Sequence, residues 1–455
     1  MIRKLLRRVF SKAPPKATPK HEPALIPVEK HRIRRESISQ GARQTVARLQ
    51  EHGHAAFVVG GAVRDLLAGI APKDFDIATD ATPEQVRGIF RRSRIIGRRF
   101  RIVHVMSGGE TMEVSTFRAG NDVDSETDAH GRVLRDNVFG NVEEDAARRD
   151  FTINALYYNP ADETITDYHH GVADLRQKTL RMIGDPRKRY REDPVRLLRA
   201  VRMAAKLGLA IDPAARAPIR EMADLLENVP AARLFDEMLK LLLSGHAVEC
   251  LRQLREEGLH HGLLPLLDVI MEQPLGERFV WLSLANTDAR VNAGKRTSPG
   301  FLFATLLWHE VLAAWEARKQ GGEPPIPALH VAMDEVLDIQ GKKLAITRRI
   351  AADIKDIWIL QPRLENRSGR RPLRVVEQPR FKAAYDFLLL RAESGEQDRE
   401  LADWWRDFLE ADTDTRLTML AKGSPREMPE QKSARRRRRR RKSGEAASAP
   451  PDGDA

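Results

Sequence analysis

Cysteine is almost absent from this 455-residue chain, with Cys250 standing alone. One thiol excludes an internal disulfide framework. Its apolar neighbours mark it as an ordinary buried side chain, in a protein suited to a reducing cytosol. Long hydrophobic runs are missing as well. No stretch approaches the roughly 18 apolar residues that a membrane-crossing helix needs. The richest segment, FLFATLLW at 301–308, runs directly into His309 and Glu310. The basic start, MIRKLLRRVF, lacks the longer apolar core of a secretory signal. It reads as a disordered arm or as a segment touching an anionic surface, RNA or membrane. No internal repeat is visible. Nor does the carboxyl half hold a histidine–aspartate metal motif of the kind that would add a phosphohydrolase domain.

What is present is enough apolar material, 42% of residues, to build real cores, and length enough for two or three domains. The net charge of +12 is unevenly spread. Residues 1–35 carry eleven Lys/Arg against two Glu, and residues 431–455 carry nine against three acids. The body between them is nearly balanced, so the basic excess lies in the tails. Residues 11–30, rich in Pro and Lys, read as a linker or arm. The unbroken run Arg435 to Arg441 repels itself and cannot be core.

Periodicity places a helix near 37–50, a strand at 55–60 ending in a Gly pair, and a helix over GAVRDLLAG. A second strand follows in DFDIAT, then a helix at TPEQVRGIF with Thr82 as N-cap and Pro83 at its first position. FRIVHVM and TMEVSTF are strands joined by the turn SGGE, and 119–137 is a polar, mobile loop. Beyond about 142 the pattern turns helical through DAARRDFTINALYY. A strand-like pair at TITDY and TLRMI follows, then a long helix over 191–207. Helical spacing dominates 215–415. The fold class is therefore α+β, a mixed sheet with helices followed by a mostly helical remainder. The expected divisions are an arm (1–36), a head (37–160), a neck (161–230), a helical body (231–415) and a disordered tail (416–455).

Chemistry concentrates in three places. In GGAVRD, Gly60 and Gly61 follow a strand and open a helix, so backbone amides can approach a phosphate, and Arg64 adds a donor fork. Taken alone, the pair reads equally as a tight turn. In KDFDIAT, Asp74 and Asp76 stand two apart and converge on one strand face. Such a pair alone reads as a solvated strand end. With a proton or cation between them it suits Mg²⁺. Glu113 alternates with Met112 and Val114 in TMEVSTF, and pairing beside DFDIAT would bring it to the same face. Three carboxylates around Mg²⁺ suit in-line phosphoryl chemistry. Asp80 lies past the strand and belongs to the turn before Thr82. In EEDAARRD, Arg149 and Asp150 precede an apolar stretch, with Asn154 one helical turn beyond Asp150. In REDPVRLLRAVR, Asp193, Arg196, Arg199 and Arg202 form a stripe spaced by three. It reads as a solvated basic face, or as one acceptor and three forks that could read a nucleotide.

VVGGAVRDLLAGIAPKDFDIAT, RRDFTINALYY and REDPVRLLRAVRMAAKLG, in that order, resemble the bacterial tRNA nucleotidyltransferase and poly(A) polymerase family. The resemblance covers about 37–210. It implies a palm-like nucleotidyltransferase head, then a neck and an RNA-binding body. Asp74, Asp76 and Glu113 would be the metal ligands, for Mg²⁺ or Mn²⁺, and with Asp150 the catalytic acids. Gly60, Gly61, Arg64 and Arg149 would contact the triphosphate of ATP. Asp193 and Arg196 would select the base, with Arg199 and Arg202 supporting it or holding phosphates.

IIGRRFRIVHV, the arm ending HRIRRESIS, the segment RRPLRVVEQPRFKAAYDFLLLRA and the basic tail resemble the poly(A) polymerase branch rather than the CCA-adding one. Between Arg87 and Arg101 stand seven arginines and no acid. The expected RNA contacts are Arg98, Arg99 and Arg101, with Arg435, Arg436, Arg437, Arg438, Arg439, Arg440 and Arg441 of the tail. They would grip phosphates with strong salt dependence and little sequence preference. The resemblance implies template-independent addition of AMP from ATP to RNA 3′ ends in the cytoplasm. RNA-decay or RNA-chaperone proteins would be partners of the tail. The rivals are CCA addition to tRNA and an RNA-binding protein without activity.

Overall fold

A computed structural model describes residues 22–97, 101–107, 109–119, 126–127, 133–135 and 138–422. Its sheet strands are Ala24–Ile26 (β1), Ala56–Val59 (β2), Asp76–Thr79 (β3), Ser93–Ile96 (β4), Ile102–Ser107 (β5) and Glu110–Thr116 (β6). After a small antiparallel pair, Glu126–Thr127 (β7) and Val133–Arg135 (β8), come Leu156–Asn159 (β9) and Thr164–Asp167 (β10). Apart from β7 and β8, these lie in the order β1-β10-β9-β2-β3-β6-β5-β4. All neighbours are antiparallel except β3 and β6, which run parallel.

Alternation divides the sheet's two faces. Val58 and Ile77 point into a core closed by Ala42, Val46 and Leu49. Those three recur at helical spacing along Gln40–Glu51. Val59 and Ala78 point the other way, to Phe117 and Tyr157. Asp76, at the start of β3, and Glu113, in the middle of β6, therefore belong to this second face. The Ser39 hydroxyl caps Gln40–Glu51 by accepting from the Ala42 N–H at 3.3 Å. Thr82 and Gln85 form a reciprocal capping box on Pro83–Ile89, which halts the chain turning out of β3.

Among the described residues beyond 186 the elements are helical apart from Ala210–Ile211 (β12), which pairs with Thr179–Leu180 (β11). One large apolar core runs from Phe151 to Leu390, and a second, around Trp405, closes the carboxyl end of the described chain. Cys250 lies buried in the first, as its neighbours indicated.

Several expectations change. The long helix over 191–207 is two helices, Pro186–Glu192 and Val195–Leu207. Pro194 denies Asp193 the helical conformation, and Asp193 adopts φ −150° and ψ 92°. DAARRDFTINALYY is not one helix. It comprises the helix Val142–Ala147, a 3₁₀ turn at Thr152–Asn154 and strand β9, because Tyr157 and Tyr158 are claimed by the sheet. The pair TITDY and TLRMI does not pair with itself, since β10 joins β9 and β1. The expected head boundary at 160 cuts the β9–β10 hairpin. Residues 22–36, expected in a disordered arm, supply the edge strand β1 and the helix Val28–His31. The tail expected from 416 begins with part of the helix Thr413–Lys422. The segment 119–137 lies outside the described residues apart from Ala119, β7 and β8.

Candidate active site

The parallel pairing of β3 with β6 aligns Asp76 with Glu113 as direct register partners, and antiparallel β5 then sets His104 opposite Glu113. Two carboxylates on adjacent strands of one face are the juxtaposition that alternation in TMEVSTF anticipated. Burial, then Glu113, then Asp74 push the Asp76 carboxyl up to about 6, against a counteracting pull from Arg149. Glu113 has His104 Nε2 at 3.4 Å. Asp74 is displaced from its expected place. Strand β3 starts at Asp76, so Asp74 sits exposed in the preceding loop rather than on the strand face. Its charge is still felt by Asp76. Crowded carboxylates, all oxygen donors, fit a hard divalent cation such as Mg²⁺ or Mn²⁺.

Asp76 and Glu113 open onto a cavity of about 560 Å³ between the sheet and the helices that follow it. Eight arginines and five carboxylates line it, with no lysine. Gly60 and Gly61 form part of the wall. Gly60 has φ 68° and ψ −124°, a conformation that L side chains rarely adopt, and a Cβ there would lie 3.2 Å from Arg149 Nη1. Glycine at position 60 is thus required by the backbone and by the arginine packed over it.

The arginines are not loose. Sequence reading passed over the residue that organises them, Asp145, which is 1% exposed. Its Oδ1 accepts from Arg148 Nε (2.9 Å) and Nη2 (2.5 Å). Its Oδ2 accepts from Arg149 Nη2 (3.0 Å) and the Tyr157 hydroxyl (2.7 Å). Burial alone would raise this carboxyl, yet Arg149, Arg148 and the tyrosine hold it at about 2. The available signal was an acid three and four residues before two arginines. Arg149 also donates to Tyr157 Oη at 2.9 Å and to the Asn154 carbonyl at 3.3 Å. Arg189 donates to the Arg148 and Arg149 carbonyls, tying the helix Pro186–Glu192 to the segment that carries both arginines.

Asp150 and Asn154 do meet, Nδ2 to Oδ1 at 3.0 Å, across a 3₁₀ turn instead of along the expected helix face. Burial again opposes ionisation, but Arg199 at 2.6 Å, Asn154 and the Phe151 N–H hold the Asp150 carboxyl at about 2. Arg64 is less available than a free phosphate fork. It is buried, chelates Asp65 Oδ1 and donates to Asn154 Oδ1 at 2.6 Å. The expected stripe is likewise engaged. Asp193 meets Arg233 at 2.7 Å, Arg196 meets Glu192 at 3.2 Å, and Arg202 meets Glu237 at 2.7 Å. Asp193 Oδ1 and Arg199 Nε remain buried without a hydrogen-bond partner, one acceptor and one donor in the cleft wall. Arg101 pairs with Glu84. Arg98, Arg99 and Arg435 to Arg441 lie outside the described residues.

Among the described residues no helix is long and apolar enough to cross a membrane. Residues 56–181 match the family model "Poly A polymerase head domain", and residues 208–271 match "Probable RNA and SrmB-binding site of polymerase A". Residues 321–443 match "Polymerase A arginine-rich C-terminus". The chain is 45% identical to poly(A) polymerase I of Salmonella typhi over 418 residues, 89% of this chain and 90% of that one. It is 36% identical to the CCA-adding enzyme of Geobacillus stearothermophilus over only 251 residues, 55% of this chain and 61% of that one. A solved CCA-adding enzyme of Bacillus stearothermophilus, in complex with CTP, superposes with a TM-score of 0.57 at 27% identity, covering 81% of each chain. The near-full-length match outweighs the partial one, and the chain belongs to the poly(A) polymerase I family of nucleotidyltransferases.

Proposed function

We propose that this cleft transfers AMP from ATP to RNA 3′ ends without a template. The observation that carries the reading is the Asp76–Glu113 register facing an arginine-lined cavity. Asp76, Glu113 and Asp74 in the loop preceding β3 would hold Mg²⁺ or Mn²⁺, whose charge would lower the cost of forming the nucleophile and of releasing pyrophosphate. The chain's own residues supply position and charge. The bare Gly60–Gly61 backbone lets the triphosphate approach closely. Arg149 and Arg199, each anchored by a buried acid, present fixed guanidinium charge to it. Asp193, with its spare Oδ1, and Arg196 offer an acceptor and donors to the adenine edge. The RNA 3′-hydroxyl attacks the α-phosphorus, one P–O bond forming as the bond to pyrophosphate breaks. Fixed positioning of this kind replaces covalent catalysis.

RNA would be gripped through phosphates by Arg101 and the tail, with RNA-decay or RNA-chaperone proteins as partners in the cytoplasm. The test incubates the protein with generic RNA and each nucleoside triphosphate singly. Long A tails on any RNA are expected. CTP-dependent addition confined to tRNA would instead favour the CCA-adding reading. RNA binding without any incorporation would leave only a binding protein.

A further inference from the structure

The sequence shows no histidine–aspartate motif in the carboxyl half, yet folding assembles one. His260 and His261 lie in the corner between the helices Ala247–Glu256 and Leu267–Glu272, and Asp268 lies in the first turn of the latter. His260 Nε2 stands 2.8 Å from Asp268 Oδ1, and His261 Nδ1 stands 2.9 Å from Oδ2. Because one residue uses its far nitrogen and the other its near one, adjacent residues converge on one carboxylate. The ring centroids are 3.9 Å apart, and the three ligand atoms lie within 4.8 Å of one another. The corner beneath is rigid. Leu259, Leu263, Leu264 and Leu267 are buried, and the Gln340 side chain donates to the Leu263 carbonyl at 2.8 Å.

His260 is in conflict with its surroundings. Its Nδ1 faces the Leu254 carbonyl at 3.4 Å while Nε2 faces Asp268. A neutral ring has one N–H, so either tautomer leaves a lone pair against an oxygen. A cation shared by Nε2, His261 Nδ1 and the carboxylate removes that contact. It leaves Nδ1–H to the carbonyl, the usual outer hydrogen bond of a metal-bound histidine.

We propose that His260, His261 and Asp268 form a Zn²⁺-class metal site, distinct from the carboxylate seat of the cleft. Two imidazoles and one carboxylate select a borderline metal, whereas Mg²⁺ and Ca²⁺ require oxygen donors throughout. Three protein ligands leave a position open. His261 also lines a cavity of about 540 Å³ together with Arg220, Asp224, Glu227 and Arg255. Arg255 Nε lies 4.0 Å from Asp268 Oδ1. With the metal bound, Arg255 is placed to pair with an anion at the open position. The site rivets the corner within the segment 208–271 that matches the RNA-binding family model.

The test strips the full-length protein with a chelator and holds it in excess Mg²⁺, so that the cleft acids are filled. Zn²⁺ and then Co²⁺ are titrated by equilibrium dialysis and visible absorption. One equivalent is expected, with Co²⁺ d–d bands. Affinity should fall about tenfold or more in His261→Ala and in Asp268→Asn. Both side chains reach the surface, and unchanged circular dichroism verifies that the variants fold. No stoichiometric binding, or equal binding by both variants, overturns the proposal. A melting temperature that rises on acidification but ignores Zn²⁺ also overturns it, assigning the cluster to a shared proton.

Discussion

Asp145→Asn is the most informative single change, because it removes charge from a buried carboxylate that no ligand touches. The carboxyl ionises at about 2 instead of 3.8, so the fold favours its charged form by about 2–3 kcal/mol. The amide also strands Arg148 and Arg149 without their acid, which for a broken buried pair raises the expected cost to about 3–5 kcal/mol. The pH dependence separates the two parts. A depressed native value means that stabilisation is present above the unfolded pKa and is lost as pH falls through the native one. The gap between wild type and variant should therefore be full at pH 7 and about 1 kcal/mol smaller by pH 3. Urea unfolding of the head, followed by tryptophan-independent far-ultraviolet circular dichroism at several pH values, measures this. AMP incorporation should fall as well, since Arg149 loses the partner that aims it. A gap under about 1 kcal/mol at neutral pH, or one indifferent to pH, would refute the assignment of Asp145 as the charged hub.

Four further outcomes follow from the same geometry. Asp76→Asn should lower AMP incorporation by roughly 10³-fold, about 4 kcal/mol of transition-state stabilisation, while RNA affinity persists in a filter-binding assay. With the cleft empty, the Asp76 carboxyl at about 6 means that protons compete with a divalent cation. Mg²⁺ affinity measured calorimetrically should therefore weaken as pH falls below 6, with proton release on binding. Gly60→Ala forces an L side chain into φ 68° and toward Arg149. A stability loss of about 1–3 kcal/mol in thermal melts and a raised KM for ATP are expected. Deleting 431–455 should weaken RNA affinity and flatten its dependence on salt without abolishing single-nucleotide addition, read by gel shift across a salt series.

The local patterns were legible in the sequence. Alternation in TMEVSTF put Glu113 on one face, the Gly pair marked a strand-to-helix turn, and Thr82 with Pro83 marked a helix start. Three departures from the sequence pattern share a cause. Asp74 precedes a strand that starts at Asp76, Tyr157 lies in a strand where the spacing predicts a helix, and Asp193 lies where Pro194 interrupts a helix. In each, an element's limit depends on a neighbour's pairing or on one backbone constraint, and apolar spacing does not register either.

What the sequence determined by itself is the kind of molecule: an acid-bearing sheet, a helical remainder, basic ends, and the order of three motifs. The tertiary structure alone decided which charge answers which. Arg202 finds Glu237, Lys206 finds Asp65 and Arg189 finds the Arg148 and Arg149 carbonyls, each across a long interval of chain. Periodicity is a property of neighbours along the chain. The pairing of charges inside a cleft depends on distances that exist only once the sheet and the helices after it have packed together.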